Sequence, residues 1–146
     1  QIFLNGENVS KEIRKEEVGK TASTVAKYGK VREKLVSLQQ KIASENDVIM
    51  DGRDIGTVVL PNAEVKIYLT ASSRVRAERR YKELQEKGET CDLDQIEKDI
   101  ILRDEQDMNR EISPLRQADD AVLVDSSDMS IEEVVNCLID IVEKAK

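Results

Sequence analysis

Residues 47–60 read DVIMDGRDIGTVVL, in which the turn MDGRDIGT (50–57) lies between the apolar runs DVIM and VVL. The run Val48–Met50 has the length and continuous apolar character of a strand that is buried on both faces of a parallel sheet. The turn after it contains three charged residues and two glycines. Ligands of open α/β sheets bind beyond the carboxyl ends of the strands, so this turn is predicted to lie on a functional edge.

Two more apolar runs predict strands further along the chain. Val65–Leu69 is followed by Thr70-Ala-Ser-Ser, and Ala121–Val124 is followed by Asp125-Ser-Ser. Polar residues end most strands, so an ordinary strand end is the favoured interpretation for Thr70 and Asp125. Helical patterns over residues 73–87 and 94–111 alternate with the strands, which predicts an α/β fold with a mostly parallel sheet.

The two ends of the chain also carry local signals. Asn5-Gly6 predicts a turn between short β segments, and Ser130 followed by Glu133 predicts a capping box at the start of an amphipathic final helix. Residues 15–45 are helical in pattern, and Gly29 is expected to separate two helices. One apolar stripe of the second helix is expected to be buried, and its members are Val31, Leu35, Leu38 and Ile42.

Composition limits the possible functions. A chain of 146 residues has room for one domain with a proper core. It contains no histidine, which excludes histidine bases and most zinc sites, and only four aromatic residues, which argues against base stacking. The net charge of −7 argues against binding to nucleic acid or to a membrane surface. Cys91 and Cys137 are isolated, so no metal site is predicted and a cytoplasmic location is expected.

The stretch from Leu93 to Arg110 has charged residues where an apolar stripe should continue. The stripe is Leu93, Ile96 and Ile100, and at 100° per residue it would be extended by Arg103, Asp107 and Arg110. Buried charges are costly unless they are paired. One interpretation is an internal ion-pair network with Arg103 bound to Asp107; the other is an anionic ligand, which the surplus positive charge favours.

A second group of arginines lies in RVRAERR (74–80), where Arg76, Arg79 and Arg80 cover about a third of the helix circumference. Such a run, taken alone, is more often a solvated face with glutamate pairs. Arginine also binds phosphate with two parallel hydrogen bonds and keeps its charge. Two arginine groups near the ligand edge of an acidic protein indicate a phosphate-bearing small molecule.

Several blocks of the sequence resemble bacterial cytidylate kinases. They are DGRDIGTVV (51–59), VKIYLTAS (65–72), RAERRYKELQEKG (76–88), RDEQDMNREISPL (103–115) and AVLVDSSDMSIEEV (121–134). In addition, FLNGENVSKEIR (3–14) and VAKYGKVREKL (25–35) resemble the monophosphate-binding insert of that family and the helix pair that follows it. The resemblance extends over nearly the whole chain, and the order of the blocks is specific.

The resemblance implies a P-loop nucleoside-monophosphate-kinase fold. Residues 1–45 would be part of the monophosphate-binding insert and the following helices, and residues 46–146 the carboxyl-terminal part of the core domain, with an arginine-bearing lid at about 73–90. The implied reaction transfers the terminal phosphoryl group of ATP, with Mg²⁺, to CMP or dCMP. The complete protein is expected to be a monomer.

The resemblance also assigns roles to residues. Ser23, Arg32 and Asp54 would bind the cytosine base, Arg103 and Asp107 the sugar, and Arg53 and Arg110 the substrate phosphate. Arg79, aided by Arg76 and Arg80, would contact the transferred phosphoryl group, and Asp51 would orient the magnesium shell or cap the adjacent turn. The catalytic residues would then be Asp51, Arg53, Arg79 and Arg110, which suits a reaction that depends on positioning and charge neutralisation.

The sequence departs from the family in one respect. It contains no G-x-x-x-x-G-K-[ST] loop, and the family's first strand and P-loop are expected to precede Gln1. Two alternatives follow from this: a non-catalytic module that binds CMP or phosphate, or a fragment that needs a separate P-loop chain. Discrimination between CMP, dCMP and UMP depends on one or two groups and is not fixed by the pattern.

Overall fold

The computed structural model describes residues 1–26 and 28–145, apart from the side chains of Glu16, Lys20 and Ser23. It has an α/β architecture and divides into two units, Gln1–Val48 and Ile49–Lys146. None of the helices in the described part of the chain is both long and apolar enough to cross a bilayer.

Unit 1 begins with the predicted hairpin. β1 (Phe3–Leu4) pairs antiparallel with β2 (Glu7–Asn8). Asn5 and Gly6 join them with φ values of 51° and 87°, the left-handed conformation that a two-residue hairpin turn requires and that Asn-Gly favours. The turn prediction is therefore confirmed.

A short 3₁₀ helix (Glu12–Arg14) is followed by α1 (Glu16–Val25) and α2 (Gly29–Glu45). Gly29 is the first residue of α2, so α2 begins at the predicted glycine; Lys27 is outside the described residues. The expected burial of the α2 stripe is wrong, because Leu35, Leu38 and Ile42 are about half exposed. An apolar face is buried only when another layer packs on it, and the described residues of unit 1 supply no layer along this stripe.

The sheet of unit 2 contains β3 (Ile67–Thr70) and β4 (Val122–Asp125), which run parallel with Thr70 opposite Asp125. These two strand predictions are confirmed. The predicted strand at Val48–Met50 is wrong, since it pairs with no strand among the described residues, and Ile49 is fully exposed. A strand needs a neighbour to satisfy its backbone groups, and an apolar run alone does not provide one.

The strand that corresponds to the apolar run Val65–Leu69 is not buried on both faces, as such a run would predict, and β4 is also partly exposed. Val124 is buried, whereas Leu69, Val122 and Leu123 are about half exposed. The small core of unit 2 consists of Val59, Ala71, Ala77 and Val124. Val59 ends a single turn of π-helix (Ile55–Val59), which follows the charged turn of residues 51–54.

Three helices complete unit 2: α3 (Ser73–Glu86), α4 (Leu93–Asn109) and α5 (Ile131–Lys144). The side chain of Arg74 joins α3 to α4, with hydrogen bonds of 2.8 Å to Asp94 and 3.1 Å to Glu97. The capping box of α5 is confirmed: Ser130 Oγ accepts from the backbone N–H of Glu133, whose carboxylate accepts from the Ser130 N–H at 2.8 Å.

Candidate functional site

Four charged residues from two distant parts of unit 2 form one cluster, which we call the arginine–aspartate cluster: Arg53, Asp54, Asp107 and Arg110. Arg53 Nε donates to Asp107 Oδ2 at 2.9 Å. Arg110 Nη1 lies 3.9 Å from Asp107 Oδ1, and Arg110 Nη2 lies 3.6 Å from Asp54 Oδ1. Asp54 and Asp107 are buried, so both carboxylates face the interior of the cluster.

The cluster leaves arginine N–H groups without hydrogen bonds. Arg110 Nη2 is buried and has no hydrogen-bond partner among the described residues. Only the Nε of Arg53 is bonded within the described part of the chain, and its side chain is 45% exposed. A buried donor without a partner is costly and rare. These N–H groups can bind an anion, whose oxygens would accept the hydrogen bonds that are missing here.

The loop after α4 holds Arg110 in this position. Arg110 Nε donates to the carbonyl oxygen of Ser113, and the backbone N–H of Leu115 donates to the carbonyl oxygen of Asp107 at 2.8 Å. Ser113 has a φ of 53°. The loop therefore folds back on Asp107, near the end of α4, and on Arg110, the residue that follows α4.

Arg103 does not lie on the buried side of α4, contrary to the sequence prediction. It is exposed, and no hydrogen bond or ion pair joins it to the other described residues, so the Arg103–Asp107 pair of the ion-pair interpretation is not formed. Asp104 continues the buried side instead. Asp104 lies four residues after Ile100, about 40° from it around the helix, but this spacing alone does not distinguish it from Arg103.

Arg76 is the partner of Asp104. Its two Nη atoms donate to the two oxygens of Asp104 at 3.1 and 2.5 Å, and its Nε donates to the carbonyl oxygen of Ala71 at 3.0 Å. This bidentate pair lies between α3 and α4. Together with the Nε bond, it engages all three nitrogens of the Arg76 guanidinium.

Arg79 binds the end of β4. It donates to the hydroxyl of Ser126 at 3.2 Å, to the carbonyl oxygen of Ser126 at 2.6 Å and, more weakly, to that of Met129 at 3.4 Å. Ser126 Oγ in turn donates to the carbonyl oxygen of Thr70 at 2.9 Å. Arg79 thus connects α3 to the carboxyl ends of both strands. Arg80 instead pairs with Glu83 at 2.8 Å.

Asp125 acts within its own turn. Its carboxylate accepts from the hydroxyl of Ser127 at 2.6 Å and from the Ser127 backbone N–H at 2.9 Å. These hydrogen bonds, the hydroxyl contact first, lower the pKa of Asp125 below its ordinary value. The arrangement is that of an ordinary strand end.

A cavity of about 420 Å³ lies beside β3. The charged turn forms one side, and Arg76, Arg79 and Asp104 form part of another. Its charged lining residues are Asp51, Arg53, Lys66, Arg76, Arg79, Asp104 and Arg116. Asp51 is exposed, and its carboxylate has no partner among the described residues. No group of three or more Asp, Glu, Cys or His side chains within the described part of the chain is arranged to hold a metal ion.

Two predicted site residues belong to unit 1. Arg32 lies on α2 and is half-buried. Ser23 lies on α1, and its side chain is outside the described residues. The arginine–aspartate cluster and the cavity consist of residues of unit 2 alone.

Comparisons of the chain with a family model and with individual proteins lead to the same family. A family model described as cytidylate kinase matches residues 1–144. The chain is 52% identical over 146 residues to the cytidylate kinase of Thermosipho africanus, an alignment that covers 99% of this chain and 66% of that protein. It is 51% identical over 143 residues to that of Caldicellulosiruptor bescii, and 50% identical over 144 residues to that of Lactobacillus johnsonii. These alignments cover 98% and 99% of this chain and 63% of each relative, so the chain spans slightly less than two thirds of the relatives' length.

Proposed function

The chain belongs to the cytidylate kinase family, and from this we propose that the protein containing it transfers the terminal phosphoryl group of ATP to CMP or dCMP. The products would be ADP and the nucleoside diphosphate. The observation that carries the proposal is the buried Nη2 of Arg110, which has no hydrogen-bond partner among the described residues. A phosphate oxygen is the kind of acceptor that such a donor requires.

Arg53 and Arg110 bind the substrate phosphate in this proposal, and Asp107 orients both of them. Asp107 is within 2.9 Å of Arg53 and 3.9 Å of Arg110, so one carboxylate holds two guanidinium groups near each other. Further positive charge comes from Arg79 and Arg116, which line the cavity and have no carboxylate partner among the described residues. A dianionic phosphate would be attracted to this excess of positive charge.

The base and sugar contacts follow the family resemblance. Asp54 would accept from the exocyclic amine of cytosine, and Arg32 and Ser23 would supply further contacts to the ring. Arg103 and Asp107 would bind the sugar hydroxyls. The exposed position of Arg103 leaves its guanidinium accessible to a ligand, which is compatible with this role.

The lid of the proposal is the segment of residues 73–90. Arg79, with Arg76 and Arg80, would contact the transferred phosphoryl group. To do so, Arg79 must exchange its hydrogen bonds to Ser126 and Met129 for bonds to phosphate oxygens, and Arg76 must release Asp104. Bonds from arginine to an anionic phosphate oxygen are stronger than the bonds to neutral carbonyl and hydroxyl oxygens that Arg79 would give up.

The proposed reaction needs a loop that cradles the ATP phosphates, and the 146 residues contain no G-x-x-x-x-G-K-[ST] sequence. We propose that the family's P-loop and its strand lie outside these residues and that this strand pairs with β3. Among the described residues, β3 pairs with β4 only, and the cavity is lined by residues of β3 and of the charged turn. A strand there would satisfy the unpaired backbone groups of β3.

Asp51 fits a contact to the magnesium shell. Mg²⁺ in kinase sites is held by one or two carboxylates together with substrate phosphates and water, and Asp51 presents one carboxylate, unpaired within the described residues, to the cavity. The ion would supply neutralisation of charge on the ATP phosphates. A cytoplasmic location and a monomeric state remain predictions.

The direct test is release of ADP by the complete protein, with its P-loop, in the presence of ATP and a nucleotide acceptor. We expect turnover with CMP and dCMP, slower turnover with UMP, and none with cytidine. Absence of turnover with every monophosphate would contradict the proposal. The preference between CMP and UMP is a separate outcome, because it tests Asp54 and Arg32 rather than the reaction.

The second candidate is a module that binds CMP without catalysis, and the lack of a P-loop sequence in these residues favours it for the chain by itself. Calorimetric titration of the 146-residue chain with CMP, cytidine and ATP separates the cases. Binding of CMP without binding of ATP would support a module. A chain that binds neither, but gains activity when mixed with a P-loop chain, would be a complementing fragment.

A further inference from the structure

We propose that Ser113 is a positioning residue for Arg110, acting through its backbone carbonyl. Ser113 adopts a left-handed conformation, with a φ of 53°, and its carbonyl oxygen accepts the hydrogen bond of Arg110 Nε. The loop therefore fixes the orientation of the guanidinium in the absence of a ligand. The inference rests on the proposed function in one respect, namely that the ligand of Arg110 is the phosphate of CMP.

The conformation of Ser113 is unfavourable from local preference alone. Among the described residues, Asn5 and Ser113 are the two residues other than glycine that have a positive φ. Asn5 lies in a hairpin turn, where asparagine favours this conformation. Ser113 precedes Pro114, and a residue before proline is driven towards extended backbone. The surrounding structure must therefore impose the conformation, and such positions cluster at functional sites.

The loop is connected to the arginine–aspartate cluster at two points. The N–H of Leu115 donates to the carbonyl oxygen of Asp107 at 2.8 Å, and the carbonyl oxygen of Ser113 accepts from Arg110. The Nε contact fixes the plane of the guanidinium. Nη1 then faces Asp107, while Nη2 is buried and lacks a hydrogen bond within the described residues. A long side chain that is already ordered loses less conformational entropy when it binds a ligand.

The hydroxyl of Ser113 makes no hydrogen bond to the other described residues, so the proposed role belongs to the backbone. Three substitutions separate backbone from side chain. Ser113→Ala removes the hydroxyl and keeps an unbranched residue, and Ser113→Gly allows positive φ without strain. Ser113→Val adds β-branching, which makes a positive φ a genuine outlier.

The test uses the complete protein and measures the dissociation constants of CMP and cytidine for each variant. We expect Ser113→Val to weaken CMP binding by about tenfold and to leave cytidine binding unchanged, since about 1.4 kcal/mol of lost preorganisation corresponds to that factor. Ser113→Ala and Ser113→Gly should both retain the wild-type ratio of the two constants. Partial unfolding of Ser113→Val would weaken both ligands equally, so the ratio remains informative.

The NMR signal of the Arg110 Nε–H group provides a measurement that needs no ligand. We expect it to be protected from exchange in the wild type and in Ser113→Ala, and to lose protection in Ser113→Val. Equal CMP-to-cytidine ratios in the wild type and Ser113→Val, or an Nε–H that exchanges freely in the wild type, would overturn the positioning role. A wild-type protein that does not bind CMP, with a protected Nε–H, would contradict the proposed function and leave the positioning role supported.

Discussion

Arg53 and Asp107 are 54 residues apart in the sequence, and Arg53 Nε donates to Asp107 Oδ2 at 2.9 Å. This contact joins the charged turn to the last part of α4. It also brings Arg53 near Arg110, whose guanidinium contacts the other oxygen of the same carboxylate. Like charges repel, and the carboxylate of Asp107, which contacts both arginines, offsets that repulsion.

Asp107→Asn removes that carboxylate charge while keeping the size of the side chain. We expect the free energy of unfolding to fall by about 1–2 kcal/mol, at the low end for a charge-assisted hydrogen bond because Arg53 is partly exposed. Urea denaturation measures the change. Glu105→Gln, an exposed change of the same kind on α4, serves as the control and should alter stability by less than about 0.5 kcal/mol. Equal stabilities of Asp107→Asn and the wild type would show that the contact does not hold the cluster together.

Arg110→Ala removes the donor proposed for the substrate phosphate. We expect CMP binding to weaken by about 1.5–3 kcal/mol, the value of a charge-assisted contact, whereas cytidine binding should be nearly unchanged. Titration calorimetry with both ligands measures this difference. Lys98→Ala removes an exposed positive charge from α4, the helix that Arg110 follows, and is the matched control. A similar loss in both variants would indicate a general effect of net charge instead of a specific contact.

Features encoded by adjacent residues could be predicted from the sequence. The Asn5-Gly6 hairpin, the Ser130–Glu133 capping box and the two paired strands all correspond to short-range patterns, and the structure contains each of them. A cap or a tight turn needs only a few neighbouring residues, so tertiary context rarely changes it.

Features that depend on a distant partner could not be predicted in the same way. Val48–Met50 has the composition of a buried strand, yet strand formation needs a neighbour that the run itself cannot specify. The apolar stripe of α2 indicates which side of the helix is hydrophobic but not what covers it.

Arg103 and Asp104 show how far the residues of the site can be predicted from the sequence. Both residues are within the angular spread that a stripe through Ile96 and Ile100 allows, and the sequence gives no reason to prefer the aspartate. The choice is made by Arg76 on α3, which binds both oxygens of Asp104. The charged turn could be recognised as a ligand edge, but the pairing of Arg53 with Asp107 depends on the packing of α4.

The Arg76–Asp104 pair is expected to couple α3 to α4. A double-mutant cycle with Arg76→Met and Asp104→Asn should give a coupling energy of about 1–2 kcal/mol, because the pair is bidentate and only partly exposed. Thermal or urea unfolding of the four proteins measures it. The Arg80–Glu83 pair on α3 is the matched control, and as a more exposed pair three residues apart it should give only about 0.3 kcal/mol. Equal coupling in the two cycles would contradict a bridging role for Asp104.

Glu83 provides a prediction about pH. Hydrogen bonds from Lys87 at 2.5 Å and from Arg80 at 2.8 Å lower the pKa of Glu83 from 4.5 to about 2. Because the pKa is lowered in the folded state, the stabilisation by these contacts is complete above about pH 4.5 and is lost as the pH falls towards 2. NMR titration of the Glu83 carboxyl carbon measures the pKa directly. Lys87→Met and Arg80→Met should each raise it, and an unchanged pKa in both variants would show that the ion pairs do not form in solution.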